Sequence, residues 1–69
     1  MYTVNFQWDG EAAVWTATSE EAKGFVLESG SLDALMERVR FALPDFLDTD
    51  EPVAMLFKSE RYEKVTVNG

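Results

Sequence analysis

Residues 2–18, YTVNFQWDGEAAVWTAT, hold two runs of alternating polar and apolar residues on either side of an Asp-Gly pair. Tyr2, Val4, Phe6 and Trp8 fall on one face and Thr3, Asn5 and Gln7 on the other, the period of a half-buried strand. Asp9-Gly10 is a strong hairpin signal because glycine tolerates positive φ. The second strand runs from about Ala13 to Thr18, with Trp15 and Ala17 sharing a face and Thr16 and Thr18 opposite.

Downstream, Ser19-Glu20-Glu21-Ala22-Lys23-Gly24 reads as a polar connection. Phe25-Val26-Leu27-Glu28 reads as a short third strand stopped at Ser29-Gly30. These three strands predict a meander with two exposed edges. Ser31 is a good N-cap, and Asp33 lies in the first turn, where the helix dipole favours a carboxylate. Leu32, Leu35, Met36, Val39 and Leu43 recur at helical spacing and form one apolar stripe. Pro44 lacks an N–H and disfavours helix at Leu43, so the helix is expected to end or kink there, with Asp45-Phe46-Leu47 able to add one more turn. Asp48-Thr49-Asp50-Glu51-Pro52 is an acidic loop. A fourth strand follows over about Val53 to Lys58. Ser59-Glu60-Arg61 then either turns the chain into a last strand near Tyr62 to Val67 or begins a helix. The expected architecture is α+β, one domain over residues 1–69, with a single helix packed across a small antiparallel sheet.

Composition narrows function by exclusion. Among 69 residues there is no cysteine and no histidine, so thiolate and imidazole nucleophiles, bases and metal ligands are all missing. Thirteen Asp and Glu against six Lys and Arg give a net charge of −7. Nucleic-acid binding draws on clustered cations, and here they are scattered, so direct nucleic-acid binding is not expected. No apolar run approaches the ~20 residues that span a bilayer, and the alternating N-terminus is unlike a signal peptide. No membrane partner and a cytoplasmic location are the expectations. A single core below roughly 70–80 residues seldom supplies more than ~3–5 kcal/mol. Disulfides and His/Cys metal sites are unavailable, which leaves self-association, expected as a homodimer, or a bound partner.

The segment VWTATSEEAKGFVLESGSLDALMERVRFALPDFL, residues 14–47, resembles the HicB-like antitoxin domain, in particular its short stand-alone version of unknown function. The resemblance is carried by Trp15-x-Ala17, by Gly24 nine residues later, by the Ser31-capped helix and by the tail Leu43-Pro44-Asp45-Phe46-Leu47. With the opening strand it covers residues 2–47. It implies a truncated RNase H-like β-β-β-α-β(-β) unit. It also implies a non-catalytic antitoxin that binds and inhibits a small, basic, HicA-like toxin that cleaves messenger RNA. Relatives often add a C-terminal DNA-binding module, and no such pattern follows here. An orphan domain that self-associates without a toxin is the alternative.

No catalytic, cofactor-binding or metal-ligating residue is expected. The first strand offers Asn5 and Gln7 but no carboxylate at its centre, and Asp9 sits in the turn, so two-metal nuclease chemistry has no scaffold. Glu20, Glu21, Asp48, Asp50 and Glu51 lie in loops, where carboxylates keep a surface wet or steer a basic partner. With Trp8, a strand-end residue that suits either a core or an interface hot spot, they are the partner-interface candidates. Trp15, Phe6, Phe25, Leu35, Val39 and Leu43 are the expected core.

Overall fold

In the computed structural model, which describes residues 1–68, the chain runs β1 (Tyr2–Asp9), β2 (Val14–Ser19), β3 (Val26–Ser29), α1 (Leu32–Phe46) and β4 (Met55–Glu60). The strands form one sheet in the order β3-β2-β1-β4. The period-2 pattern sets its two faces. Val4, Phe6, Trp15 and Ala17 turn inward and are buried against Leu35, Val39 and Leu43 of the helix stripe. Thr3, Asn5, Gln7, Thr16 and Thr18 alternate with them and face away. Phe25 closes the core beside the helix, its ring centroid 5.5 Å from that of Phe46 in an edge-to-face arrangement.

The sheet is mixed, not antiparallel as expected. β1 pairs antiparallel with β2 and β2 with β3, whereas β4 lies parallel to β1, with Val4 opposite Phe57 and Phe6 opposite Ser59. The cause is the helix. Two reversals make β3 run in the same direction as β1, and α1 then carries the chain back to the starting end of β3. β4 therefore runs in the direction of β3 and of β1. Because β4 covers β1, the open edges are β3, as the three-strand meander implies, and β4 in place of β1.

The β1–β2 connection also departs from expectation. Asp9 pairs with Val14, leaving a four-residue loop in which Ala13, not Gly10, takes the left-handed conformation (φ 56°). Asp9 organises this loop, its Oδ1 accepting from the N–H groups of Glu11 at 3.1 Å and Ala12 at 3.3 Å. An alanine in that conformation is strained by its Cβ. Ala13→Gly is expected to stabilise the domain by about 0.5–1 kcal/mol and to raise Tm by about 2–8 °C in a thermal melt.

Ser31 caps the helix as expected, its Oγ accepting from the Ala34 N–H at 3.2 Å. At the other end the helix runs through Pro44 to Phe46 and neither stops nor breaks there. Pro44 lies in the last turn, where its missing N–H removes a single bond and packing of Leu43 and Phe46 holds the turn. The end is a Schellman motif. Thr49 N–H donates to the Pro44 carbonyl at 3.2 Å and Asp48 N–H to that of Asp45 at 3.1 Å, with Asp48 at φ 54°, where glycine usually sits.

The last expected strand, Tyr62 to Val67, is absent. β4 ends where Glu60 meets Gln7, and β1 offers only Trp8 and Asp9 beyond that pair, so the chain past residue 62 has no strand of this sheet beside it. Residues 61–68 run without turn or bend and are exposed. The long axis of the molecule is 55 Å and its radius of gyration 14.1 Å, against ~11 Å for a compact chain of this length. The C-terminal arm accounts for that excess.

Candidate functional site

The two acidic loops were separate stretches in the sequence. The fold brings both to the end of the sheet where β1 begins. On the β2 side, Glu21 Oε1 accepts the Thr3 N–H at 2.7 Å and Glu20 Oε2 accepts from Asn5 Nδ2 at 3.2 Å. On the β4 side, the Tyr2 N–H donates to the Ala54 carbonyl at 2.8 Å, which draws the loop carrying Asp48, Asp50 and Glu51 against the same strand end. Asp45, on the last turn of α1, joins the group; seeing it there required knowing that the helix passes Pro44.

Glu21 apart, this acidic end does little for the fold. The last turn of α1 holds no basic residue, so Asp45 and Asp48 stand at the negative end of the helix dipole, an arrangement that costs about 0.3–1 kcal/mol per charge. Among the described residues the ion pairs are Arg40–Glu37 and Arg61–Glu63, and neither involves these carboxylates. Nor do the described residues place three or more carboxylates to hold a metal ion. The end is a diffuse negative field and not a chelate.

Glu21 is the structural member of the group. The Thr3 N–H holds its carboxyl below its ordinary value; desolvation opposes this, and the Glu21 N–H, the Ser19 hydroxyl and the N-terminal ammonium each add a smaller lowering effect. A carboxyl depressed in the folded state stabilises the fold above its unfolded value near 4.5, and this contribution is lost as pH falls through the folded value. Glu21→Gln should therefore lower Tm at neutral pH, and the gap to the parent should close as melts are taken below about pH 4.5. A gap that stays constant into acid would show that charge on Glu21 is not what holds Thr3.

Trp8 lies apart from these residues, at the hairpin end of β1, three positions (~10 Å) beyond Asn5, which bonds Glu20, and six positions (~20 Å) beyond Tyr2. Half-buried, it packs on Trp15 with ring centroids 5.6 Å apart, and the Arg61 guanidinium sits 4.2 Å above its ring. The indole joins the edge of the core and is covered by a cation of its own chain. The Arg61 stack was invisible in the sequence because it depends on β4 running parallel to β1, which carries Arg61 to the hairpin end.

A third feature is the open side of β4. The helix packs chiefly over β3 and β2, leaving a groove of about 610 Å³ between α1 and β4, with Arg40, Pro44, Met55 and Phe57 on its walls. Met55 and Phe57 are half-buried there. No helix of the described residues is long and apolar enough to cross a membrane.

Comparison with solved structures finds the crystal structure of a hypothetical protein from the extremely thermophilic bacterium Thermus thermophilus, 26% identical, with a TM-score of 0.62 over 94% of this chain and 99% of that one. No curated protein matches. Residues 1–66 match the family described as a domain of unknown function, DUF1902, and the chain belongs to that family.

Proposed function

We propose that this chain is a non-catalytic, HicB-like interaction domain of the antitoxin type, acting in the cytoplasm. Its acidic end binds the basic RNA-binding face of a small HicA-like toxin and keeps messenger RNA out. The β-β-β-α-β order and the helix laid across one face of the sheet support reading the fold as a truncated RNase H-like unit. The observation that carries the functional reading is the gathering of Glu20, Glu21, Asp45, Asp48, Asp50 and Glu51 at one end, outside any ion pair of the described residues and partly against the helix dipole. Charge that stands together on one surface, partly against a helix dipole, suits a cationic partner, whose approach it accelerates. A native pull-down of the tagged chain from its own cells, read by mass spectrometry, tests this. A small basic protein with RNA-cleaving activity, recovered near one-to-one, is the expected result; recovery of the chain alone contradicts it.

A second reading, a self-associating domain without a toxin, is favoured by a different observation. The β4 edge is open, and a projecting arm follows it directly.

A further inference from the structure

The arm and the edge have a property that decides what can lie on them. From residue 60 the sequence reads Glu60-Arg61-Tyr62-Glu63-Lys64, and its charges invert about Tyr62. Glu60 is mirrored by Lys64 and Arg61 by Glu63. A strand segment with that pattern is complementary in charge to a second copy of itself laid antiparallel.

The geometry of β4 fixes the rest. The Ala54 carbonyl points to β1, where it accepts the Tyr2 N–H. By alternation the N–H and C=O groups of Met55, Phe57, Ser59 and Arg61 point outward from the open edge. A second copy related by a two-fold axis through Tyr62, perpendicular to the sheet, sets Arg61 against the other copy's Glu63, Ser59 against its Val65 and Phe57 against its Val67. These are the odd positions, whose outward backbone groups supply the ladder. On the opposite face Glu60 meets Lys64 and Tyr62 meets Tyr62. Neighbouring registers with matched faces fail on charge: an axis at Arg61 opposes Lys58 to Lys64 and arginine to arginine, and an axis at Glu63 opposes glutamate to glutamate.

The inner side of this seam answers the groove. Val65 and Val67, 75% and 85% exposed in the single chain, come beside Phe57 at the mouth of the groove between α1 and β4. The arm's eight residues reach ~26 Å, enough to run the length of the partner's six-residue β4. We infer that two copies of this chain join through β4 and residues 61–68 into one continuous eight-stranded sheet with its two-fold axis at Tyr62.

This inference rests on the self-association reading and leaves the acidic end of each copy uncovered, so its failure would not touch toxin binding, which an RNA-cleavage assay reads separately. The chain contains no cysteine, so single-cysteine variants of the full chain are clean probes. Tyr62→Cys places two thiols opposite each other at a non-hydrogen-bonded pair, about 4.5–5.5 Å between Cβ atoms, and should give a covalent dimer under mild oxidant. Thr66→Cys, four residues from the axis, should stay monomeric on a denaturing gel. Equal cross-linking of both variants, or of neither, overturns the seam. Sedimentation then tests the register without cysteine. Glu60→Lys should weaken the dimer about 10–100-fold by opposing lysine to Lys64, and adding Lys64→Glu should restore it. A dimer indifferent to the single reversal, or one that the double swap fails to rescue, refutes the pairing.

Discussion

Phe6→Ala is expected to leave most of the chain unfolded at room temperature, with the cooperative melt of the parent lost. Phe6 is fully buried at the centre of β1, between Ala17 of β2 and Ser59 of β4. Its ring meets that of Phe57 edge to face, centroids 5.0 Å apart at 69°. Truncating a buried phenylalanine costs about 3–5 kcal/mol, and the lost aromatic pair adds about 0.5–1.5 kcal/mol. A single core of this size supplies only ~3–5 kcal/mol in total. The loss therefore equals or exceeds the whole stability of the domain. Circular dichroism during a urea titration checks it. Phe41→Ala is the control: Phe41 is 72% exposed on the outer face of the helix, and its removal should change stability by less than about 0.5 kcal/mol.

The second large effect is on binding. Glu20→Lys, Asp50→Lys and Glu51→Lys combined should weaken capture of the basic toxin by about 10²–10³-fold while leaving the melting curve close to that of the parent. These three side chains hold little structure. Glu20 accepts one bond, from half-buried Asn5, and Asp50 and Glu51 lie in a loop whose backbone is held by Thr49 Oγ1 and the Schellman bonds. Glu21 and Asp48 are left in place because Glu21 anchors Thr3 and Asp48 occupies the left-handed position after the helix. The substitutions move the net charge from −7 to −1, two units each. Most of the loss should fall on the association rate, and the variant's binding should depend less on salt than the parent's, because long-range attraction is what has been removed. Stopped-flow association at two ionic strengths separates this from a loss of contact area, which would act on dissociation.

Local chemistry explains which parts of this molecule could be read in advance. The inward set Val4, Phe6, Trp15 and Ala17, the Ser31 cap and the stripe Leu35, Val39 and Leu43 all follow from side-chain periodicity and from one hydroxyl placed before an apolar run. The direction of β4 does not, since alternation is the same for a strand run either way. The helix between β3 and β4 was the available signal, because a helical crossover returns the chain to the same end of the sheet. Gly10 drew attention as the residue able to take positive φ. The loop length, set by the pairing of Asp9 with Val14, moved that requirement to Ala13. Pro44 predicts an end or a kink, with at most one further turn, because its cost is local, whereas the packing that outweighs it, Phe46 on Phe25, is not. The acidic candidates were legible as residues but not as a group. Only the bonds from Thr3 and Tyr2 to Glu21 and Ala54 bring the two loops to one end, and Trp8 proves to belong to the other.

The most direct test of the acidic end as an inhibitory surface is an RNA-cleavage titration. The small basic protein recovered with this chain is purified and held fixed while this chain is added from below to above equimolar. The expected result is cleavage falling to background near one chain per toxin, with the Glu20→Lys, Asp50→Lys, Glu51→Lys variant failing to inhibit at the same excess. Cleavage that persists at full rate with the parent chain in stoichiometric excess would contradict the account.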